Sequence, residues 1–578
     1  MPEDTDLMFK EIIKRILDEK PKNSKELNKL KIEFAIKYTY NDIIKNAQII
    51  AYSSNKDRDK IIKILNIKPV RELSGVTVVA LFAKPHACPH GKCMYCPGGP
   101  GSPFGDTPQS YTGKEPAAMR AIRNNYDPYL QIFNRLEHYV VNGHRPDKLE
   151  LIFMGGTFPS LDKEYRDEFV TFTYKAINDF AKEFVIEDSK GKKQIDYDKF
   201  NEFFETKEDF SSEERKERIF ERTLKLKALN PKSLQEEITQ NETSLIRSIG
   251  LTIETKPDWA FEKHCNEMLE YGCTRFEVGV QTLEEECLKK THRGHTLEDT
   301  RKSFGVMKDM CFKINAHMML GLPASTLEKD ENSLINLFKE PYYRPDMIKF
   351  YPCLVVKGTP LYSMWKAGKF KPIDTKEAAR IIAKVHKDIP RYVRVMRVQR
   401  DIPTTVVNEG VQNSNLRQYV EKEMEVQKIE SSDIRAREIG FRQLQGIKQK
   451  GEFGIKIEKF EASGGVDYFL DVVDELDTMI GFIRLRFPKN TNLRPEINEK
   501  TALIRELHIY GQTLAVGDDS HALKVQHKGW GRKLLEKAES IAKEEGYEKM
   551  VIISGVGVRE YYRKFGYVLE GPYMVKEL

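Results

Sequence analysis

The sequence predicts an α/β protein in which helices precede a partial parallel β/α barrel, and a separate α+β domain follows the barrel. Residues 7–70 carry apolar side chains at three- and four-residue spacing, which is typical of amphipathic helices. From about residue 75, short apolar runs that end in Gly, Pro or polar residues alternate with helical stretches, as in a parallel barrel. From about residue 450, consecutive strand-like runs precede one long helical stretch, which indicates an α+β domain.

Six apolar runs supply the predicted barrel strands: VTVVALFA, LELIFMGGTF, GLTIETKPD, RFEVGVQT, KINAHMMLGLP and DMIKFYPCLVV. Because such barrels carry their chemistry at the carboxyl ends of the strands, we expect the polar residues that follow each run to share one site. The predicted parts of the chain are residues 1–70, 71–360, 361–445 and 446–578, with a charged, solvent-exposed helical insertion near 188–241.

The composition fits a globular chain with a polar surface, since 40% of the residues are hydrophobic and 31% are charged. No apolar stretch approaches the ~20 residues that span a bilayer, and the N-terminus lacks an apolar signal region. We therefore expect a cytoplasmic protein without membrane contact. Three of the eight cysteines stand within nine positions, which favours a metal site over disulfides.

Two basic segments suggest a nucleic-acid partner. Residues 1–71 contain 16 Lys and Arg against 11 Asp and Glu. Farther along, four arginines recur every three residues: Arg391, Arg394, Arg397 and Arg400. On a helix they would form one stripe that suits a phosphate backbone. A solvated helix face would show the same pattern, so both interpretations stay open at this point.

A cysteine loop follows the first predicted strand, with four residues between Cys88 and Cys93 and two between Cys93 and Cys96. Thiolates bind both iron–sulfur clusters and zinc. A zinc site would need a fourth ligand, which His86 or His90 could supply. Three thiolates alone would leave one iron of a 4Fe–4S cluster open to a substrate.

This loop resembles the signature of the radical-SAM superfamily, although most members have three residues, not four, between the first two cysteines. The resemblance implies a radical-SAM (partial TIM-like) barrel in which Cys88, Cys93 and Cys96 hold a 4Fe–4S cluster. The open iron would bind S-adenosylmethionine and cleave it to a radical. The glycines of Met154-Gly155-Gly156-Thr157 would expose backbone to the methionine moiety. The implied cofactor contacts at the strand ends are Gly155, Gly156, Thr157, Glu254 and Gln281.

A second glycine loop resembles the coenzyme A loop of GNAT acetyltransferases. Its amides and the start of the following helix would bind pyrophosphate, and its candidate contacts are Gln526, His527, Lys528, Gly529 and Gly531. In that fold the preceding strand supplies backbone to the acetyl-pantetheine arm, which indicates Glu506, Leu507, His508 and Ile509.

The run SGVGVREYYRKFGY resembles the end of a GNAT domain, where a tyrosine commonly stands near the coenzyme A thiolate. Tyr561 and Tyr562 are the candidates, and a phenol with a pKa of ~10 can protonate a leaving thiolate. Both rings could instead only pack the domain.

The order of the two domains resembles the catalytic-subunit family of Elongator, on segments such as QSYTGKEPAAMRAIRNNYDPY, RELHIYG and YYRKFGY. The resemblance implies carboxymethylation of carbon 5 of the wobble uridine of tRNA, with a 4Fe–4S cluster, S-adenosylmethionine and acetyl-coenzyme A. It suggests Lys148 as an acetyl-coenzyme A contact and Lys256 as a catalytic or cofactor contact. Partner subunits or a homodimer both stay open. Some relatives carry a cysteine-rich zinc site in the connector, where this chain has Ser431, Ser432 and Asp433, so we expect no structural zinc.

Two other functions compete with this one. A protein lysine acetyltransferase with a structural iron–sulfur cluster would need a general base, and Glu506 could serve. A noncatalytic tRNA-binding scaffold would account for the basic segments but not for two cofactor loops.

Overall fold

The computed structural model describes residues 2–65, 75–189, 191–510 and 529–578. Four N-terminal helices come first: α1 Pro2–Glu19, α2 Ser24–Lys37, α3 Asn46–Tyr52 and α4 Asn55–Leu65. In α1, Phe9, Ile12 and Ile16 are fully buried, and their spacing of three and four residues places them on one helix face. Apolar periodicity therefore predicted this part of the fold correctly.

The next part contains the strands β1 Thr77–Phe82, β2 Gly99–Ser102, β3 Gly105–Thr107, β4 Lys148–Met154, β5 Val185–Glu187, β6 Lys193–Ile195, β7 Arg247–Thr255, β8 Cys273–Gln281, β9 Lys313–Leu320, β10 Met347–Pro352, β11 Val355–Val356, β12 Arg394–Val398 and β13 Val407–Glu409. Its helices are α5 Pro116–Arg123, α6 Pro128–Val141, α7 Lys163–Phe184, α8 Tyr197–Phe204, α9 Glu213–Ala228, α10 Leu234–Thr243, α11 Glu262–Glu270, α12 Glu285–Lys290, α13 Leu297–Asp309, α14 Leu327–Lys339, α15 Pro360–Lys366, α16 Thr375–Val385, α17 Leu416–Val426, α18 Ile434–Arg437 and α19 Ile439–Leu444.

Seven of these strands form one parallel sheet in the order β1-β4-β7-β8-β9-β10-β12. The six predicted strands all belong to it, so the prediction of a partial parallel barrel is confirmed. All nine residues of β8 are buried, as expected for a central parallel strand that is covered on both faces. Helices lie between consecutive strands, so the carboxyl ends of the strands share one edge.

The predicted arginine stripe on a helix is wrong, because Arg394–Val398 is the seventh strand, β12. Val393, Val395 and Val398 are buried, and such a mixture of apolar and polar residues also fits a strand. Arg394 pairs with Met347 and Arg397 with Lys349, and the register shifts between these two pairs. The four arginines therefore form no stripe on a helix.

Three of those arginines contact carboxylates within the protein, and one of these contacts joins Arg397 to Asp401. Arg391 Nη2 donates to Asp471 Oδ2 at 2.6 Å and to Asp477 Oδ1 at 2.9 Å. Arg394 forms an ion pair with Glu438 at 2.8 Å. These guanidinium groups serve the fold, so they are poor candidates for a phosphate backbone.

The insertion near 188–241 is less exposed than predicted. It contains β6 and the helices α8, α9 and most of α10. Phe200 and Phe204 of α8 are buried and pack against Phe180 and Phe184 of α7. Helix α9 keeps mostly polar, accessible positions. The segment thus extends the helical layer of the barrel.

The C-terminal domain has the strands β14 Gly454–Ala462, β15 Gly465–Val473, β16 Met479–Phe487, β17 Thr501–Ile509, β18 Lys549–Ile552, β19 Val568–Glu570 and β20 Tyr573–Glu577, and the helices α20 Trp530–Glu544 and α21 Arg559–Arg563. Its sheet has the order β14-β15-β16-β17-β18-β20-β19. Only β17 and β18 are parallel neighbours in this sheet. The predicted α+β domain is confirmed.

This domain packs against the amino ends of the barrel strands. A Cβ atom on Gly555 would lie 2.0 Å from Ile249 O, and one on Gly557 would lie 2.4 Å from the Cβ of Arg247. The glycines of the SGVG run therefore allow close packing against the start of β7. Among the described residues, the cavity at the opposite, carboxyl ends of the strands is lined by members of 88–402.

Buried ion pairs connect the two domains. Arg505 of β17 donates to Asp346, which precedes β10, with Nη1 2.9 Å from Oδ1. Arg486 of β16 donates to Asp309 at the end of α13, with Nε 2.8 Å from Oδ1. Lys308 Nζ lies 2.8 Å from Asp467 Oδ2. All these side chains are buried, so removal of one partner leaves an uncompensated charge.

Among the described residues, none of the helices combines the length and the apolar character that a membrane span requires.

We predict that Asp346→Asn lowers the free energy of unfolding by about 3 kcal/mol, because it removes the carboxylate that both Arg484 and Arg505 contact and leaves the buried Arg505 with Asp467 alone. Urea denaturation followed by circular dichroism measures this change. Glu499→Gln removes an exposed carboxylate and serves as the control. A difference between the two variants of less than about 0.5 kcal/mol, the range of ordinary surface substitutions, would contradict the prediction.

Candidate active site

A cavity lies at the carboxyl ends of the barrel strands, and it brings together most of the predicted radical-site residues. Its lining includes the following predicted residues: Cys88, Cys93, Cys96, Gly156, Thr157, Glu254, Lys256 and Gln281. They come from the segments after β1 and β4 and from the ends of β7 and β8. The expectation that polar residues after successive strands share one site therefore holds for this set.

Cys93 and Cys96 are buried and Cys88 is half-buried. The backbone N–H of Ser110 donates to Cys96 Sγ at 3.2 Å, and His90 Nε2 lies 3.2 Å from Cys93 Sγ. Burial raises the pKa of Cys88 to about 11, and the neighbouring Cys96 and Cys93 add to this shift. A metal cluster would take these cysteines as thiolates.

The donor set fits a 4Fe–4S cluster in its chemistry, because three cysteines of one loop face a common cavity. Among the described side chains, no three or more of His, Cys, Asp and Glu form a site for a single metal ion. His86, one possible fourth zinc ligand, lies 3.1 Å from Ser160 Oγ, whereas His90 contacts Cys93. The expectation of no structural zinc in the connector stays a prediction.

The glycine motif after β4 requires glycine at both positions. Gly155 has φ +128° and Gly156 has φ +100°, a region that L side chains rarely adopt. A Cβ atom on Gly156 would lie 2.9 Å from the Cβ of Gln109. The bare backbone at this point forms part of the cavity wall, as the resemblance to the methionine-binding motif implied.

Glu254 connects two walls of the cavity. Its Oε1 accepts a hydrogen bond from Tyr111 Oη at 2.8 Å, and its Oε2 accepts one from Gly155 N at 3.2 Å. Burial raises the pKa of this carboxyl to about 6. The side chain therefore changes charge close to neutral pH and can accept a hydrogen bond from a cationic ligand.

Gln281 and Lys256 both line the cavity. Gln281 has φ +73°, and its buried Oε1 has no hydrogen-bond partner among the described groups, so this carbonyl is free for a ligand. Lys256 is buried beside Asp258, with Nζ 3.2 Å from Oδ2. Burial, and then the charge of Arg293, lowers the pKa of Lys256.

A charged cluster lies at the cavity floor, and the sequence did not predict its pairing, although Glu277 and His317 stood out singly as polar residues of predicted strands. Glu277 Oε2 lies 2.5 Å from Lys349 Nζ and also contacts His317, and its Oε1 accepts a hydrogen bond from Asn315 at 3.0 Å. Burial opposes ionisation, yet Lys349 and His317 hold the pKa of Glu277 well below its usual value. The signal was present as polar residues at alternate positions in β8, β9 and β10.

The acyl-domain residues lie at the other end of the barrel. Gly529 caps α20 with φ +96°, and Tyr561 Oη lies 2.5 Å from the position that a Cβ of Gly531 would take. Leu507 and Ile509 belong to the adjacent strand β17. Gln526, His527 and Lys528 lie outside the described residues.

The two candidate tyrosines differ in position. Tyr561 is half-buried next to the start of α20, whereas Tyr562 is buried and packs against Tyr561 and Tyr567. Lys148 is exposed at the start of β4, at the same end of the barrel as the acyl domain. His508 packs against the rings of Phe482 and Tyr510.

Glu506 is held in ion pairs. Arg484 Nε donates to its Oε2 at 2.8 Å. Although burial opposes ionisation, the charges of Lys313 and Arg484 lower the pKa of this carboxyl. A carboxylate with a lowered pKa is a weak general base near neutral pH.

Four protein-family descriptions match this chain, and their order along the sequence is the order of the parts of the fold. They are the ELP3 N-terminal domain at residues 5–73, the radical SAM superfamily at 84–334, the Radical_SAM C-terminal domain at 345–426 and the acetyltransferase (GNAT) family at 436–567. The chain is 44% identical to the tRNA uridine(34) acetyltransferase of Methanocaldococcus jannaschii, over 98% of this chain and 97% of that protein. The chain belongs to the Elp3 family. It is 38% identical to human Elongator complex protein 3, over 99% of this chain and 97% of that protein.

A solved structure agrees with this assignment. The Elp3 of Methanocaldococcus infernus, with residues 1–46 deleted, superposes with a TM-score of 0.70 at 38% identity and covers 87% of this chain and 100% of that one. The resemblance to the Elongator catalytic-subunit family is thus confirmed, as are the radical-SAM barrel and the GNAT domain. The radical SAM and GNAT domains imply, in general terms, an iron–sulfur cluster, S-adenosylmethionine and acetyl-coenzyme A as cofactors.

We predict that S-adenosylmethionine binds this Elp3-family protein roughly tenfold more tightly at pH 7 than at pH 5. The pKa of Glu254 is about 6, so its carboxylate, which favours a cationic ligand, is mostly neutral at pH 5 and mostly charged at pH 7. Calorimetry on the cluster-loaded protein measures the affinity. Glu254→Gln should abolish the pH dependence and Glu499→Gln should keep it. An unchanged profile in Glu254→Gln would refute the assignment.

We predict that Tyr561→Phe slows acetyl-coenzyme A turnover by about 100-fold, the usual contribution of a positioned general acid. Tyr562→Phe should leave turnover within about threefold, because its ring packs in the core of the domain. Thiol release measured with tRNA present tests both variants, and thermal unfolding separates a folding defect from a chemical one. Equal losses in the two variants would count against Tyr561 as the proton donor.

Proposed function

We propose that this protein modifies tRNA, and that it installs a carboxymethyl group at carbon 5 of the wobble uridine with the help of S-adenosylmethionine and acetyl-coenzyme A. The observation that carries the proposal is the combination of a three-cysteine cavity and a GNAT domain on one barrel, joined by buried ion pairs. The archaeal relative is a tRNA uridine(34) acetyltransferase by name, which supports tRNA as the substrate. We expect the protein to act in the cytoplasm.

In this proposal Cys88, Cys93 and Cys96 hold the cluster, and the backbone of Gly155 and Gly156 receives the methionine moiety. When bound, the cluster and S-adenosylmethionine supply a carbon radical that can remove a hydrogen atom from the methyl group of an acetyl thioester. Glu254 accepts a hydrogen bond from the cationic cofactor. Buried walls exclude water, which protects a reactive species from side reactions.

The target base must leave its stack to enter the cavity, as bases of single-stranded loops do in many modifying enzymes. Lysines on α1 and α2 such as Lys10, Lys14 and Lys25 are exposed and suit the tRNA backbone. Arg400 lines the cavity, and its Nη2 donates to Ser110 O at 3.0 Å. Of the four predicted arginines, Arg400 is the best placed to contact a phosphate of the target nucleotide.

At the acyl site, Tyr561 donates a proton to the departing thiolate, and Lys148 contacts acetyl-coenzyme A from the barrel side. Lys256 stays the candidate for a catalytic or cofactor contact within the cavity. Protein lysine acetylation is the less favoured alternative. It needs a general base, and Glu506, the candidate, is a weak base because it is paired with Arg484.

We predict a carboxymethyluridine product when the protein is incubated anaerobically with tRNA, S-adenosylmethionine, dithionite and acetyl-coenzyme A. Nucleoside mass spectrometry detects the product. The double variant Cys93→Ala, Cys96→Ala should abolish it because the cluster loses two of three ligands. Cys265→Ala, which changes a buried cysteine of α11, is the matched control and should retain it.

Two outcomes would contradict the proposal. Product formation by the double cysteine variant would show that the reaction needs no cluster at this site. Acetylated protein lysines, formed without tRNA and with no modified nucleoside, would favour the acetyltransferase alternative. A tRNA with cytidine at the wobble position should give no product.

A further inference from the structure

Arg293 is a buried arginine that has no carboxylate partner within 4 Å among the residues that the structure describes. It follows α12, and its side chain lines the cavity close to the cysteine loop. By contrast, Arg505 and Arg486 at the domain junction each contact a carboxylate. A guanidinium stays protonated in proteins, so Arg293 places a permanent positive charge in a desolvated site.

Among the described residues, the guanidinium makes two hydrogen-bond contacts. Its Nη2 donates to Gly279 O at 2.7 Å, and its Nη1 lies 3.6 Å from Cys93 Sγ. Its Nε has no hydrogen-bond partner in the described part of the chain. A buried charge is costly unless an opposite charge compensates it. Cys93 can supply that opposite charge as a thiolate.

The strand beneath Arg293 is shaped for this contact. A Cβ atom on Gly279 of β8 would lie 2.3 Å from Arg293 Nη2. Glycine at this position leaves the path of the guanidinium toward Cys93 open. Cys93 also differs from the other two cysteines, because it alone among them contacts both a histidine ring nitrogen and a guanidinium.

We propose that Arg293 is a positioning residue that sets the reduction potential of the iron–sulfur cluster through its charge on Cys93. This inference rests on the cluster assignment of the proposed function. Reduction adds an electron to the cluster, and a fixed positive charge beside a ligand sulfur stabilises the more negative state. Hydrogen bonds and charge near the sulfurs are established determinants of cluster potentials.

The test is a redox titration of the reconstituted full-length protein, followed by electron paramagnetic resonance. Arg293→Gln keeps donor groups but loses the charge. We expect it to disfavour cluster reduction at least tenfold, a shift of about 59 mV to lower potential for one electron. Arg293→Lys should retain most of the wild-type potential. Arg301→Gln, which changes a partly exposed arginine of α13, is the matched control and should not shift it.

Gly279→Ala provides a second route if Arg293→Gln loads iron poorly. The added methyl group displaces the guanidinium without removing the charge from the chain, so the potential should fall in the same direction. Equal potentials in wild type, Arg293→Gln and Gly279→Ala, at equal iron content, would overturn the inference. Weaker S-adenosylmethionine binding with an unchanged potential would also overturn it, and would assign Arg293 to the cofactor carboxylate.

These outcomes are separable from failure of the proposed function. If the wild-type protein holds no 4Fe–4S cluster at all, the proposed function fails together with this inference. If the wild type loads a cluster and modifies tRNA while Arg293→Gln keeps its potential, only the inference about Arg293 fails.

Discussion

Buried ion pairs hold the acyl domain in one orientation against the barrel, and the rest of the structure depends on that orientation. Arg505 and Arg486 project from adjacent strands of the acyl sheet and reach Asp346 and Asp309 at the amino ends of the barrel layer. Burial of such charges is costly, and only close pairing offsets the cost. Because each guanidinium must meet its carboxylate at hydrogen-bond distance, the domain has little freedom to rotate or shift against the barrel.

The interior of the barrel is polar where most β/α barrels are filled with branched apolar side chains. Arg275, Glu277 and Lys349 lie between the acyl domain and the cysteine cavity, and ion pairs connect them. The positive charge of Lys313, at the amino end of β9, lowers the pKa of Glu506. A continuous series of charged side chains therefore extends from the acyl strand β17 to the cavity floor.

The sequence predicted the repeated strands of the barrel correctly, but the spacing of the four arginines led to a wrong prediction. The six barrel strands follow from apolar runs that end in polar residues, a signal that many positions share. The prediction of an arginine stripe failed because a spacing of three makes a stripe only on a helix, whereas Arg394–Val398 is strand β12. The cysteine loop could be found because its ligands are adjacent in sequence. The partnership of Arg293, Gly279 and Cys93 could not, because it joins three distant segments through tertiary packing alone.

The geometry also constrains how the two sites can act together. The acyl residues lie at the amino ends of the barrel strands and the cysteine cavity lies at the carboxyl ends. Strand β9 has eight residues, and at about 3.3 Å per residue the two ends are about 25 Å apart. The domain junction is held by paired charges, so hinge motion there would expose or separate them. A reaction that combines an acetyl group with a base in the cavity therefore requires transfer along or around the polar barrel interior, with both domains kept in place.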